Sequence, residues 1–253
     1  MAAEASKQSM VYEVYAGGVH AVQSTLDIET TSDDRYNVSM GAKTRGFLGK
    51  LAPWSGTFES KGWRVNDDML RPELHRSIAT WRGEAETKDY KYAKDGTFKS
   101  LIIDEHDKPA ETRKTDAKLT NGTTDAFTAT LMMLEAYNKT GKCEGTSLVF
   151  DGKRSFDLKF VHKKTEELTA SRYNIYEGTA AKCTAEVIPR EGKWYEKPRG
   201  WLSIQEQGRD KGTMPTLWIA QIEEGAPAIP VKVLVKTDYG ALFMHLVEHK
   251  GAE

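Results

Sequence analysis

The sequence predicts an all-β, mainly antiparallel fold, a meander that curls on itself into an open barrel or β-spiral around one buried helix. Three observations predict it. Apolar and polar residues alternate with period two along most of the 253-residue chain. Gly- and Asp-rich turns interrupt the alternation at short intervals. One segment, 126–138, changes to a helical period. No strand–helix–strand rhythm is present, which argues against a doubly wound parallel sheet. The expected organisation is a disordered stretch over 1–8, then a single domain over 9–250.

Taken in order, the first run covers 9–16 and ends at Gly17-Gly18. In 19–31, Val22, Ser24, Leu26 and Ile28 share one face, and Gln23, Thr25, Asp27 and Glu29 the other. Ser32-Asp33-Asp34 turns the chain into 35–45, and a short helical or looped element over 45–51 is ended by Pro53. Runs over 55–65, 73–82, 84–94 and 97–104 follow, with Asp67-Asp68 and Asp95-Gly96 as turns. The polar stretch from His106 to Thr124 is the weakest place for a boundary. Beyond the helix come 144–150 and 154–163, joined by Asp151-Gly152, with Phe156, Leu158 and Phe160 alternating with Asp157 and Lys159. The remaining runs are 167–176, 181–189, 201–207, 216–223, 229–237 and 240–249, the last after Asp238-Tyr239-Gly240.

The helical segment carries its own stop signals. Asp125 can cap its start and Gly141 can end it. Phe127, Leu131, Leu134 and Asn138 share a face, while Met132, Met133, Ala136 and Tyr137 make most of the remainder apolar. A helix apolar on nearly all sides is buried. It is either a core helix packed on a curved sheet or a plug in a concave face, its methionines an adaptable wall for an apolar ligand. The ligand-cavity candidates are Phe127, Leu131, Met132 and Leu134, with tryptophans from facing strands. The six tryptophans (Trp54, Trp63, Trp81, Trp194, Trp201 and Trp218) serve either core packing or the lining of such a cleft.

The two cysteines, Cys143 and Cys183, are too few for a structural zinc site, and no Cys-x-x-Cys is present. A disulfide between strands is the economical reading, and two buried free thiols the other. A bond closing a loop of about 41 residues would stabilise the fold by roughly 4 kcal/mol and would imply an oxidising compartment.

Charge excludes some partners. The 36 basic and 37 acidic residues give a net charge of −1, so no overall field points to nucleic acid or an anionic membrane. No apolar stretch approaches the roughly 20 residues needed to span a bilayer. The start, Met-Ala-Ala-Glu-Ala-Ser, lacks the regions of a signal peptide, so an exported protein would here be a mature form behind an initiator Met. Nucleophile-elbow, P-loop, dinucleotide and zincin motifs are all missing, so no catalytic residue, cofactor or metal is assigned. His245 and His249 are four apart, about 13 Å along a strand, too far for one metal ion. Cys143 with His162 makes a conceivable nucleophile and base, which a disulfide would consume. Adjacent acids such as Asp104-Glu105 point to opposite faces of a strand and make poor catalytic couples.

Several segments resemble a known family. Val11-Tyr12-Glu13-Val14-Tyr15-Ala16-Gly17-Gly18, Lys43-Thr44-Arg45-Gly46-Phe47-Leu48 and Phe58-Glu59-Ser60-Lys61-Gly62 are similar to the N-terminal half of an exported Gram-negative family of unknown function, DUF3108. Asp125-x-x-Thr128, Asp151-Gly152-Lys153-Arg154-x-Phe156-Asp157-Leu158 and Gly178-x-Ala180-x-x-Cys183 are similar to its C-terminal half. The tail after Pro189 matches less well and leaves the order of the last strands open. The resemblance implies a periplasmic β-rich fold, in the style of lipoprotein-carrier half-barrels and the β-spirals of envelope-integrity proteins. The expected function is a non-enzymatic periplasmic protein that supports the envelope and binds a lipid or other apolar ligand in a concave cup. A protein-docking scaffold for an envelope partner, or a hydrolase acting on envelope material, are the alternatives.

Overall fold

Antiparallel pairing organises the whole molecule. The computed structural model describes residues 5–66, 69–197, 201–224, 226–237 and 240–251. The first half contributes β1 (Ser6–Ala16), β2 (Val19–Thr30), β3 (Arg35–Thr44), the short helix α1 (Gly46–Leu51), β4 (Trp54–Asn66), β5 (Met69–Trp81), β6 (Glu84–Tyr92), β7 (Phe98–Glu105) and β8 (Glu111–Arg113). Two helices follow, α2 (Ala117–Thr120) and α3 (Ala126–Thr140). The second half contributes β9 (Gly145–Phe150), β10 (Arg154–Leu168), β11 (Gly178–Gly192), α4 (Trp201–Asp210), β12 (Thr216–Ala220), β13 (Ile229–Thr237) and β14 (Gly240–Lys250).

These strands form one 14-stranded sheet in the order β8-β7-β6-β5-β4-β3-β2-β1-β14-β13-β12-β11-β10-β9. The chain therefore starts in the middle of the sheet, grows to one edge, crosses to the other and returns until β14 pairs with β1. Among the described residues no strand pairing joins β8 to β9, so the sheet stays open. Side chains meet across the gap instead. Phe150 of β9 packs edge-on against Tyr90 and Phe98, and the Tyr90 hydroxyl donates to the Asp151 carbonyl at 3.1 Å. Tyr90, Tyr92, Leu101, Ile103 and Phe150 form a small core of their own there.

The crossing places α3 inside the curve. Its segment must pass from one sheet edge to the other, and the concave face is the short way across. Thr128, Ala129, Leu131, Met133 and Leu134 are buried, packed into a core with Met10, Ile28, Tyr36, Ile229 and Leu246. One Asp125 carboxylate oxygen accepts from the backbone N–H groups of Phe127 and Thr128, both at 2.9 Å. Gly141 ends the helix in the left-handed conformation at φ 68°, where a side chain would be strained. At Gly62 the reason for glycine is space: a Cβ would lie 2.0 Å from the Arg71 carbonyl and 2.8 Å from the Tyr36 hydroxyl.

Three expectations need correction. First, β1 begins at Ser6, within the stretch expected to be disordered: residues 6–8 pair with 28–30, and the buried Gln8 amide donates to the Pro227 carbonyl at 2.8 Å. Second, the run expected over 167–176 breaks after Leu168 because polar side chains capture the backbone. Ser171 Oγ accepts from the Tyr173 and Asn174 amides, and the Asn174 side chain bonds Tyr176 N and the Val231 carbonyl. Third, residues 201–207 lie in the helix α4, where the buried Gln205 side chain bonds both backbone groups of Val187. Within the polar stretch 106–124 lie the short strand β8 and the single turn of α2. The expected turns at Asp67-Asp68 and Asp238-Tyr239 lie outside the described residues.

Candidate functional site

The concave face leaves room beside α3. A cavity of about 210 Å³ lies between the helix and β1–β3, with Pro230 and Met244 completing the wall. Inward alternation brings Ser24, Leu26 and Ile28 from β2 and Val38 and Met40 from β3 to one wall, and Tyr12 from β1 beside them. Ala126, Phe127, Thr130, Leu131 and Leu134 make the helix side. Three larger hollows among the described residues, of about 400, 650 and 1080 Å³, are lined mainly by polar and charged side chains. The lining beside α3 is mostly aliphatic and aromatic, with Ser24 and Thr130 among it.

Polar atoms in that lining are few and unequal. Ser24 Oγ donates to the Gly41 carbonyl at 2.9 Å and is satisfied. Tyr12 is 1% exposed, and its hydroxyl has no hydrogen-bond partner among the described residues. Burial pushes its ionisation far above the ordinary tyrosine range, so the hydroxyl remains a neutral donor. The cavity thus has a mainly apolar wall, and the unpaired Tyr12 hydroxyl is buried in the protein beside it.

A polar chain runs behind the cavity at the start of α3. The Tyr36 hydroxyl lies 2.7 Å from Thr128 Oγ1, which donates to Asp125 Oδ2 at 2.6 Å. Ser60 Oγ donates to Asp125 Oδ1 at 2.7 Å and sits 2.7 Å from His75 Nδ1. Serine, histidine and aspartate meet here in an order unlike that of a hydrolase, where imidazole stands between carboxylate and hydroxyl. Ser60 is the bridge, is fully buried, and its single proton is committed to Asp125. The network fixes the start of the helix to β3, β4 and β5. Phe127 stacks between Phe58 and His75 at 6.1 and 5.8 Å, which orients its ring along the cavity wall.

Of the residues singled out from the sequence, Phe127, Leu131 and Leu134 line the cavity together. Met132 does not; it packs against the main core. No tryptophan lines it either. Trp63, Trp81, Trp194 and Trp218 instead carry Arg or Lys side chains over their rings, at 4.3 to 5.8 Å. Cys143 and Cys183 form a disulfide with their Cα atoms 6.1 Å apart, tying the segment after α3 to β11. His162 Nδ1 lies 3.6 Å from Cys143 Sγ, but that sulfur is bonded and fully buried. His245 stacks with Phe243 and Tyr173, whereas His249 contacts Gln8 on the other side of the bulged strand. Tyr12 and Ser60 fall in segments that carry the family resemblance, but neither they nor His75 were expected near α3, since only strand register brings them there.

Comparison with solved structures finds a crystal structure from Brucella abortus described as a beta-barrel-like protein of domain of unknown function DUF1849. It covers 98% of this chain and 98% of its own, with 9% identity and a TM-score of 0.48. No curated protein matches the chain. A family model described as protein of unknown function (DUF3108) matches residues 11–247, nearly the whole described fold, and the chain belongs to that family.

Proposed function

We propose that this protein is a non-enzymatic, exported binding protein that holds one apolar chain bearing an oxygen acceptor in the cavity beside α3, in support of the cell envelope. The observation that carries the reading is the predominantly apolar lining of that cavity, bordered by Tyr12, whose buried hydroxyl has no partner among the described residues. A buried donor without a partner costs about 1–3 kcal/mol, and a ligand oxygen that accepts from it recovers that cost. A cavity of about 210 Å³ is smaller than typical drug-sized pockets, so it takes the end of one acyl chain rather than a whole lipid. The buried disulfide supports export, because such bonds persist in oxidising compartments.

Displacement of an environment-sensitive apolar dye by long-chain fatty acids tests the reading. Titration should saturate, and Thr130→Phe, which fills the cavity from the helix side, should abolish it while leaving the melting temperature in place. Tyr12→Phe should weaken fatty-acid binding about three- to tenfold, the worth of one buried hydrogen bond. A flat titration with the wild-type protein would leave the cavity a packing void and favour the scaffold reading.

A further inference from the structure

We propose that the hollow of about 1080 Å³ across the open seam of the sheet is a binding site for a compact phosphate-bearing saccharide. The inference goes beyond the binding of an apolar chain and rests on different residues. The two lips of the hollow belong to opposite edges of the sheet, which no strand pairing joins among the described residues. Arg113, at the end of β8, and Lys114 stand on one lip. Lys153 and Arg154, at the β9–β10 turn, and Lys193, just beyond β11, stand on the other. Like charges therefore face one another over a gap, and an anion between them relieves the repulsion. Gly192 fixes the second lip. At φ 100° its Cβ would lie 2.8 Å from the Lys153 carbonyl, so glycine lets the end of β11 lie against the turn.

Nearby acids limit the size of the ligand and leave the interior cationic. Glu111 and Asp151 are paired with Arg113 and Arg154, at 3.4 and 2.9 Å. Asp116 is the one carboxylate in the lining, and one of its oxygens caps α2 by accepting from the Lys118 amide at 2.9 Å. Lys114, Lys153 and Lys193 are exposed and in no ion pair among the described residues. Three lysines thus stand against one aspartate. Glu191 and Glu196 are exposed and lie outside the lining, which interrupts any cationic track long enough for a nucleic-acid strand and favours a compact anion.

Aromatic side chains in the same wall suit a ring. The Arg154 guanidinium lies 4.3 Å over the Trp194 ring, and Phe156 meets that ring edge-on at 6.3 Å. The Trp194 indole N–H donates to the Glu191 carbonyl at 3.3 Å, so the ring is held at the wall from three sides. Tyr195, next to it, is 61% exposed. Lysines for phosphate oxygens, beside flat aromatic side chains for the less polar face of a sugar ring, are the complement of a sugar phosphate.

Titration calorimetry of the whole chain with glucose 1,6-bisphosphate, inorganic phosphate and glucose tests the site. The bisphosphate should bind saturably, roughly tenfold more tightly than inorganic phosphate, and should lose most of its affinity at about 1 M salt, where screening acts within ~3 Å. Lys153→Glu with Lys193→Glu should abolish binding and leave the melting temperature in place, because both side chains are exposed. Trp194→Ala should weaken the bisphosphate about three- to tenfold and leave inorganic phosphate unaffected. Thr130→Phe, which blocks only the apolar cavity, should bind the bisphosphate like wild type, so failure of the cavity reading and failure of this site are distinguishable. A flat titration with the bisphosphate, binding indifferent to the lysine substitutions, or equal affinity for inorganic phosphate would each overturn the proposal. So would a single-stranded oligonucleotide that binds the same lysines more tightly than the bisphosphate.

Discussion

At the scale of single residues, Tyr12 and Asp125 have opposite characters. Asp125 is satisfied on both oxygens, by two backbone amides, Ser60 and Thr128. The Tyr12 hydroxyl is buried and has no partner among the described residues. Replacing Tyr12 with Phe should therefore stabilise the unliganded fold by about 1 kcal/mol, read by denaturant unfolding, while weakening ligand binding. A loss of stability would show that the hydroxyl has a partner. A separate pH effect comes from Asp89. Its hydrogen bond to Arg76 holds its carboxyl below the usual carboxylate range, with distances of 2.6 and 2.7 Å. Because the folded value is depressed, this stabilisation is present above the ordinary carboxylate range and is lost as pH falls through the lower folded value. Unfolding followed against pH should show Asp89→Asn with a shallower acid slope than wild type; equal slopes would remove Asp89 from the account. The Asp125 cap and the Gly141 stop are legible from sequence because capping is local. Ser60, His75 and Tyr12 are not, because their roles depend on register between strands distant in the chain.

Among the elements, α3 decides how the concave face is filled. Leu131→Ala removes a fully buried side chain that both packs in the core and lines the cavity, and should cost roughly 2–5 kcal/mol in chemical denaturation. A loss below about 0.5 kcal/mol, as for surface positions, would mean the helix is not anchored there. The helix is readable because fifteen residues between a cap and a left-handed glycine express a period clearly. α4 is not: over 201–207, Leu202 and Ile204 alternate as in a strand, yet the same stretch sets Trp201 beside Gln205 on a helix. Five to seven residues do not separate the two periods. Likewise the Ser171–Asn174 turn interrupts an alternating run through side-chain capture that hydropathy does not register. Met132 shows the limit on a helix apolar all round. Every face reads as buried, and only the tertiary packing tells which face meets the cavity.

The whole molecule is held by pairing distant in sequence, with β1 against β14, and by a covalent tie across the crossing. Cys143→Ser with Cys183→Ser should lower stability by roughly 4 kcal/mol on the chain-entropy account, and denatured, unreduced protein from an oxidising compartment should show no free thiol. Two labelled thiols would remove the tie. The antiparallel meander is legible because period two and turn signals recur along the chain. The contact across the open gap is not, since Phe150 meets Tyr90 and Phe98, and Tyr90 meets the Asp151 carbonyl, without any strand pairing. Native mass spectrometry of the wild-type chain and Thr130→Phe after incubation with a long-chain fatty acid tests the central claim most directly. The account predicts a one-to-one adduct on the wild-type protein that disappears in Thr130→Phe, and bare protein in both, or equal adducts on both, would contradict it.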